Sequence, residues 1–158
     1  MLQLEVHISK QKMFIFKDQQ VVHTYSISTA KNGAGELRDS QKTPRGLHII
    51  RAKIGKEREA NTVFIERRPT GEIYHYDLRQ QFPDRDWILT RIFWLSGLEV
   101  GKNRLGKVDT MRRYIYIHGT PDDVEMGVPG SKGCIRMRNH DIIELFEKIP
   151  TGTRVLII

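Results

Sequence analysis

The feature that most constrains this chain is a period of two in its apolar residues, present at both ends. Leu2, Leu4, Val6 and Ile8 alternate with Gln3, Glu5 and His7, the pattern of a strand with one buried face. Met13-Phe14-Ile15-Phe16, then Lys17-Asp18-Gln19-Gln20, then residues 21–29 read as strand, turn, strand. A polar, glycine-containing stretch over 31–42 reads as a long loop, and Thr43-Pro44-Arg45-Gly46 as a turn. Further strands are expected over 47–54, 62–67 and 73–76. Residues 113–118 alternate again, with Tyr114, Tyr116 and His118 on one face and Ile115 and Ile117 on the other. Near the end Asn139 is placed to cap a short helix, with Asp141 near its positive end. Ile142, Leu145, Phe146 and Ile149 form its apolar stripe, Pro150 and Gly152 stop it, and 153–158 close as a strand. The apolar run over 87–95 fits helix or strand, and Gly97, Gly101 and Gly106 punctuate a loop after it.

The expectation is therefore a mostly β chain with one or two short helices. No repeat or shift in composition divides the 158 residues, so 1–158 reads as a single domain. A chain of this length can bury a core without disulfides or metal. No stretch approaches the roughly 20 apolar residues that span a bilayer. The opening Met1-Leu2-Gln3-Leu4-Glu5-Val6-His7 lacks a basic segment followed by an apolar run. A cytoplasmic location is expected from this, with periplasm or cell envelope the alternative if a leader was removed. Oligomeric state is not legible.

Charge and sulfur narrow the function. The formal charge of +7 raises a nucleic-acid reading. Yet Glu99 and Asp109 interrupt the basic group Lys102, Arg104, Lys107, Arg112 and Arg113, and no nucleic-acid motif accompanies it. A mildly basic face would also draw carboxylate-rich substrates. The single cysteine, Cys134, excludes an internal disulfide and argues against a thiolate zinc site. His7, His23, His48, His75 and His140 show no metal-ligand spacing, and neither metal nor cofactor is expected.

A thiol becomes a useful nucleophile when something favours its thiolate, and a neighbouring imidazole is the usual means. His118 ends a predicted strand, and Cys134 follows sixteen positions later. Between them Gly127, Pro129, Gly130 and Gly133 allow a loop to fold back and bring sulfur toward the ring. Backbone N–H groups of Gly133 and Cys134 could then face a developing oxyanion. A His and a Cys at this spacing prove little alone.

The whole string is more specific. Ile117-His118-Gly119-Thr120, then Gly130-Ser131-Lys132-Gly133-Cys134-Ile135-Arg136-Met137, resembles the L,D-transpeptidase (YkuD) signature. Residues 6–16 look like that family's first hairpin, Thr43-Pro44-Arg45-Gly46 is similar to its Thr-Pro-x-Gly turn, and 113–118 look like its catalytic strand. The resemblance implies a β-sandwich or flattened barrel with the site at one end of a cleft. It also implies peptidoglycan stem peptides as partners: a tetrapeptide, a muropeptide or a nucleotide-linked precursor. Cys134 would attack the carbonyl on the L-centre of the third-position diamino acid and expel D-alanine, with His118 as base. The Gly119 carbonyl would orient the ring, and Gly133 and Cys134 would supply oxyanion N–H groups. Arg136 is implied as a partner for a substrate carboxylate. Lys132, Tyr116 and Ser131 stand beside it, Ser131 reading first as a loop-shaping hydrogen bonder.

One departure is Lys132, where the family usually has histidine; it bears on selectivity. With no export signal in view, water is the expected acceptor, an L,D-carboxypeptidase role in murein recycling. Cross-linking or D-amino acid exchange is the alternative, and an inactive peptide-binding module the rival of another class. A sortase fits less well, because its arginine lies much later in the chain. Papain-like and NlpC-like hydrolases place cysteine before histidine, the reverse of this order.

Overall fold

The computed structural model describes residues 1–158. The N-terminal alternation becomes β1 (Leu2–His7), followed by β2 (Lys12–Lys17) and β3 (Gln20–Ser28), a three-stranded antiparallel meander. β4 (Gly46–Ile54) follows the long loop, then the β5 (Thr62–Ile65) and β6 (Arg68–Ile73) hairpin, α1 (Tyr76–Gln81) and β7 (Ile88–Gly97). β8 (Tyr116–Gly119), β9 (Ile135–Met137), α2 (Asn139–Lys148) and β10 (Arg154–Ile157) complete the chain.

The strands pair in the order β4-β10-β1-β2-β3-β9-β8-β7, and β7 pairs back onto β4. Eight strands thus close into a flattened barrel, the expected architecture, and the β5–β6 hairpin hangs outside the ring on the start of β7. Closure removes the unpaired edges that open sheets expose. Alternate residues of the ring strands fill one core, among them Leu4, Val6, Ile15, Ile117, Ile135 and Val155, with Ile142, Leu145 and Phe146 from α2. Each large side chain so buried contributes about 1.5–3 kcal/mol.

Five local expectations change. The ambiguous run over 87–95 is strand; β7 is paired along both edges and mostly buried, which explains its near-continuous apolar sequence. The strand expected over 62–67 ends at Ile65, because Glu66 and Arg67 turn with positive φ (51° and 66°). The strand expected over 73–76 is instead the end of β6 and the start of α1. Asn139 does not cap α2: Arg138 holds the cap position, and no side chain caps the helix. Asn139 is buried, accepting from Thr90 Oγ1 (2.5 Å) and donating to Asn61 (2.9 Å) and Asp122 (3.2 Å). A buried amide needs such partners more than the helix end needs its cap. The catalytic-strand pattern is also shorter than read: Tyr114 sits in a turn at φ 57°, exposed, and pairing begins at Tyr116.

Candidate active site

β8 and β9 run parallel, with Ile117 opposite Ile135, His118 opposite Arg136 and Gly119 opposite Met137. Parallel neighbours need a long connection, which residues 120–134 supply. Side chains alternate along each strand, so Ile117 and Ile135 enter the core. Tyr116, His118 and Arg136 share the opposite face, together with Cys134 just before β9. Cys134 therefore stands two rungs from His118, roughly 6–7 Å along the strand direction.

His118 has no exposed surface. Its Nδ1–H donates to the Gly119 carbonyl at 2.6 Å, which fixes the tautomer and leaves a lone pair on Nε2. Nε2 is buried without a partner. Burial pushes the ring's pKa down; the Asp86 carboxylate and Gly119 carbonyl oppose this, and Arg136 adds to it. Gly119 is required by close approach, since a Cβ there would lie 2.5 Å from Asn139 Oδ1 and 2.6 Å from the Leu89 carbonyl.

Cys134 is half-buried. Its sulfur accepts from the Tyr116 N–H (3.3 Å), and its thiol faces the Tyr114 carbonyl (3.5 Å). Burial pushes the thiol up to about 12, against the pull of the Tyr116 N–H and the more distant Arg136 and Arg113. Asp86 raises it further. Both shifts favour a neutral thiol beside a neutral imidazole.

The loop that presents Cys134 is held by hydroxyls. Ser131 Oγ donates to the Cys134 carbonyl (2.5 Å) and accepts from the Gly133 N–H (3.1 Å), the loop-shaping arrangement expected of it. Thr43, fully buried, donates to the Gly133 carbonyl (3.0 Å) and accepts from the Ala30 N–H (2.9 Å). Gly133 sits at φ 133°, with Ile115 Cδ1 3.1 Å from where a Cβ would be, so a side chain is disfavoured twice over. The Gly133 N–H, expected to face an oxyanion, is thus taken by Ser131.

Arg136 donates to the Gly130 carbonyl (3.1 Å) and pairs with Asp86 (3.4 Å). Its guanidinium is therefore already engaged within the protein. A cavity of about 580 Å³ opens over the sulfur, lined by Arg67, Arg113, Tyr114, Tyr116, Lys132 and Cys134 among others. A second cavity of about 420 Å³ lies beside it, lined by Arg136, Thr120 and Trp87, and shares Asp86 and Lys132 with the first. Cys134, Tyr116 and Lys132 converge on one cavity, whereas Ser131 and Gly119 lie behind the surface and shape it.

A family model described as YkuD, the L,D-transpeptidase catalytic domain, matches residues 3–157. The chain belongs to that family. A Bacillus subtilis protein named as an L,D-transpeptidase, YkuD, is 39% identical over 93 residues, which is 59% of this chain and 46% of that protein. Escherichia coli YbiS, also named as an L,D-transpeptidase, is 54% identical over 43 residues, 27% of this chain and 14% of that one. The matched stretches thus span less than half of these relatives. Solved structures share the fold: L,D-transpeptidase 3 of Mycobacterium tuberculosis gives a TM-score of 0.60 at 16% identity, over 99% of this chain and 60% of that one. An Enterococcus faecium L,D-transpeptidase gives 0.59 at 18%, over 99% and 49%.

Four residues around the candidate site escaped the sequence reading. Thr43 was visible only as part of a turn. Asp86 and Arg67 are remote in sequence and carry no motif. Arg113 was counted as surface charge; it is half-buried, donating to the carbonyls of Lys42 (2.6 Å), Gly35 and Glu36 (both 3.3 Å). It ties the 31–42 loop to the site.

Proposed function

We propose that this L,D-transpeptidase-family chain is a cysteine acyltransferase acting on peptidoglycan stem tetrapeptides. One observation carries the reading: a buried imidazole with its Nδ1 locked and its Nε2 unpartnered stands two rungs from a thiol that opens onto a cavity.

With both groups neutral, the thiolate forms as it attacks. The sulfur turns from the Tyr114 carbonyl, and His118 Nε2 takes its proton as general base. The S–C bond forms at the carbonyl on the L-centre of the diamino acid, and the carbonyl oxygen becomes an oxyanion. Because Ser131 occupies the Gly133 N–H, the Cys134 N–H is the loop's backbone donor for that oxyanion. Collapse breaks the C–N bond to D-alanine, and the His118 imidazolium returns a proton to the leaving amine. Asp86 favours the imidazolium at that moment, as its effect on the ring implies. The Gly119 carbonyl plays the orienting part of a triad's third member. The thioester then passes to an acceptor. The relatives' names favour an amine; the expectation of water rested on the opening residues alone, and no feature of the cavity supports it.

The test is mass spectrometry of a diaminopimelate stem tetrapeptide with purified protein, Cys134→Ala as control, and a D-amino acid or second stem peptide as acceptor. Cys134-dependent loss of D-alanine is expected. Exchanged or cross-linked product gives the transpeptidase, and tripeptide alone in the presence of amine gives the carboxypeptidase. No Cys134-dependent change on any stem peptide would reject the reading and favour a binding module.

A further inference from the structure

Arg67 has an unusual setting. Its guanidinium carbon lies 4.8 Å from the centroid of Trp94 and 4.7 Å from that of Tyr114. Its Nη1 donates to the Tyr116 hydroxyl at 2.8 Å. No carboxylate lies within ion-pair distance, so the remaining N–H groups of the fork have no anionic partner in the protein. Arg67 lines the cavity over Cys134.

The backbone pays for this placement. Ile65 pairs with Arg68, so Glu66 and Arg67 alone form the turn between β5 and β6, both at positive φ. Two-residue hairpins of this kind favour Asn-Gly or Asp-Gly, whose residues tolerate that conformation. Two long charged residues there are strained, and strain of this sort gathers at ligand clamps. The strain and the two rings hold one arginine in a fixed orientation.

The charges around it set the sign of what it can take. The cavity holds Arg67, Arg113 and Lys132 against Glu66 and Asp86. Asp86 is paired with Arg136, and Glu66 is exposed. A fixed, stacked fork in a net positive cavity suits a planar anion taken through two parallel N–H bonds.

We infer that Arg67, stacked on Trp94 and Tyr114 and oriented by the Tyr116 hydroxyl, forms a carboxylate-binding subsite beside Cys134, selecting peptide substrates by a free carboxylate near the reacting carbonyl. This rests on the acyl-transfer reading above. It assigns to Arg67 the anchoring part that the family resemblance implied for Arg136, whose guanidinium is already tied to Asp86 and Gly130.

The test uses Cys134 itself as reporter, so that it does not depend on turnover. Second-order alkylation rates are measured with iodoacetate and with its neutral isostere iodoacetamide, at one pH and ionic strength. In each case the sulfur displaces iodide and its proton leaves to solvent. The iodoacetate-to-iodoacetamide ratio is expected to fall about tenfold in Arg67→Gln, the scale of one charge-assisted hydrogen-bond pair. It should fall less in Tyr116→Phe, which leaves the charge but frees the fork, and Arg67→Lys should lie between wild type and Gln. A packing role alone would move both rates together, and an unchanged ratio in Arg67→Gln would overturn the subsite. Wild-type behaviour in Arg67→Lys would overturn the stacked-fork geometry. On stem peptides, Arg67→Gln should raise KM for a carboxylate substrate about tenfold with kcat nearly kept, and no longer distinguish it from the carboxamide. If wild type turns over no stem peptide while the labelling ratio still depends on Arg67, the acyl-transfer reading fails and the subsite stands.

Discussion

Thr43→Val is a severe test of how the cysteine loop is held. Valine matches threonine in shape, so the core should not be disturbed, but it removes the hydroxyl that bridges the Ala30 N–H and the Gly133 carbonyl. Thr43 is fully buried, so water cannot replace the hydroxyl, and both groups lose that partner. Each buried group left unsatisfied costs about 1–3 kcal/mol, so the variant should lose about 2–6 kcal/mol. That is a large part of the roughly 5–15 kcal/mol that stabilises a domain. Urea unfolding, with a slope of about 2 kcal/mol per molar, should show the midpoint falling by about 1–3 M with the slope unchanged. Thr43→Ser keeps the hydroxyl and loses a methyl group, and should lose only about 1 kcal/mol. A Thr43→Val loss below about 0.5 kcal/mol, or a serine variant as unstable as the valine one, would refute the bridge.

Three further outcomes are expected. Gly133→Ala forces a side chain into positive φ against Ile115 and should lose about 1–3 kcal/mol together with most Cys134-dependent acyl transfer, read by unfolding and by mass spectrometry; retained activity would show that the loop tolerates another geometry. Since burial holds the Cys134 thiol high, iodoacetamide labelling of the free protein should rise about tenfold per pH unit up to about pH 9, whereas a plateau near neutrality would mean a resting thiolate–imidazolium pair. His48 is fully buried between the Gly46 carbonyl and Thr110, and burial lowers its pKa from 6.5 to about 4. The unfolded chain then binds more protons between these values, so its contribution is whole above 6.5 and about 3 kcal/mol is lost as pH falls to about 4. Unfolding slopes against pH that are the same in wild type and His48→Gln would contradict this.

The parts of the fold that the sequence made legible are those where burial is one-sided. β1 and α2 each have a wet face and a dry face, so period alone revealed them, and the polar Lys17-Asp18-Gln19-Gln20 between two apolar runs marked β2 and β3. β7 was ambiguous because pairing on both edges and burial on both faces erased its period. The hairpin turn at Glu66-Arg67 carried none of the residues that announce such turns, and Asn139 looked like a cap because its buried partners, Asn61, Thr90 and Asp122, are remote in sequence. At the site, His118 and Cys134 were readable because the motif is local: parallel pairing of β8 with β9 needs one connecting loop, and that loop is the motif. Asp86, Arg67 and Thr43 reach the same place from three other segments. Their effects on charge, orientation and loop anchoring depend on contacts that no short window contains.

By strand pairing the β5–β6 hairpin meets the barrel at two residue pairs, Val63 with Leu89 and Phe64 with Ile88, and Phe64 packs into it against Ile92 and Tyr116. The closed ring does not depend on it for a hydrogen-bonded edge, while the hairpin supplies Arg67 to the cavity. The molecule therefore separates what must be inherited intact from what can drift. Cys134 and His118 lie in or beside strands whose alteration would break the ring, whereas the ribbon beyond the buried Phe64, exposed from Ile65 to Thr70 apart from the half-buried Arg67, can be lengthened or shortened with little consequence for folding. Within such a lineage, new substrate preferences would arise on that ribbon, and the reaction itself would change little.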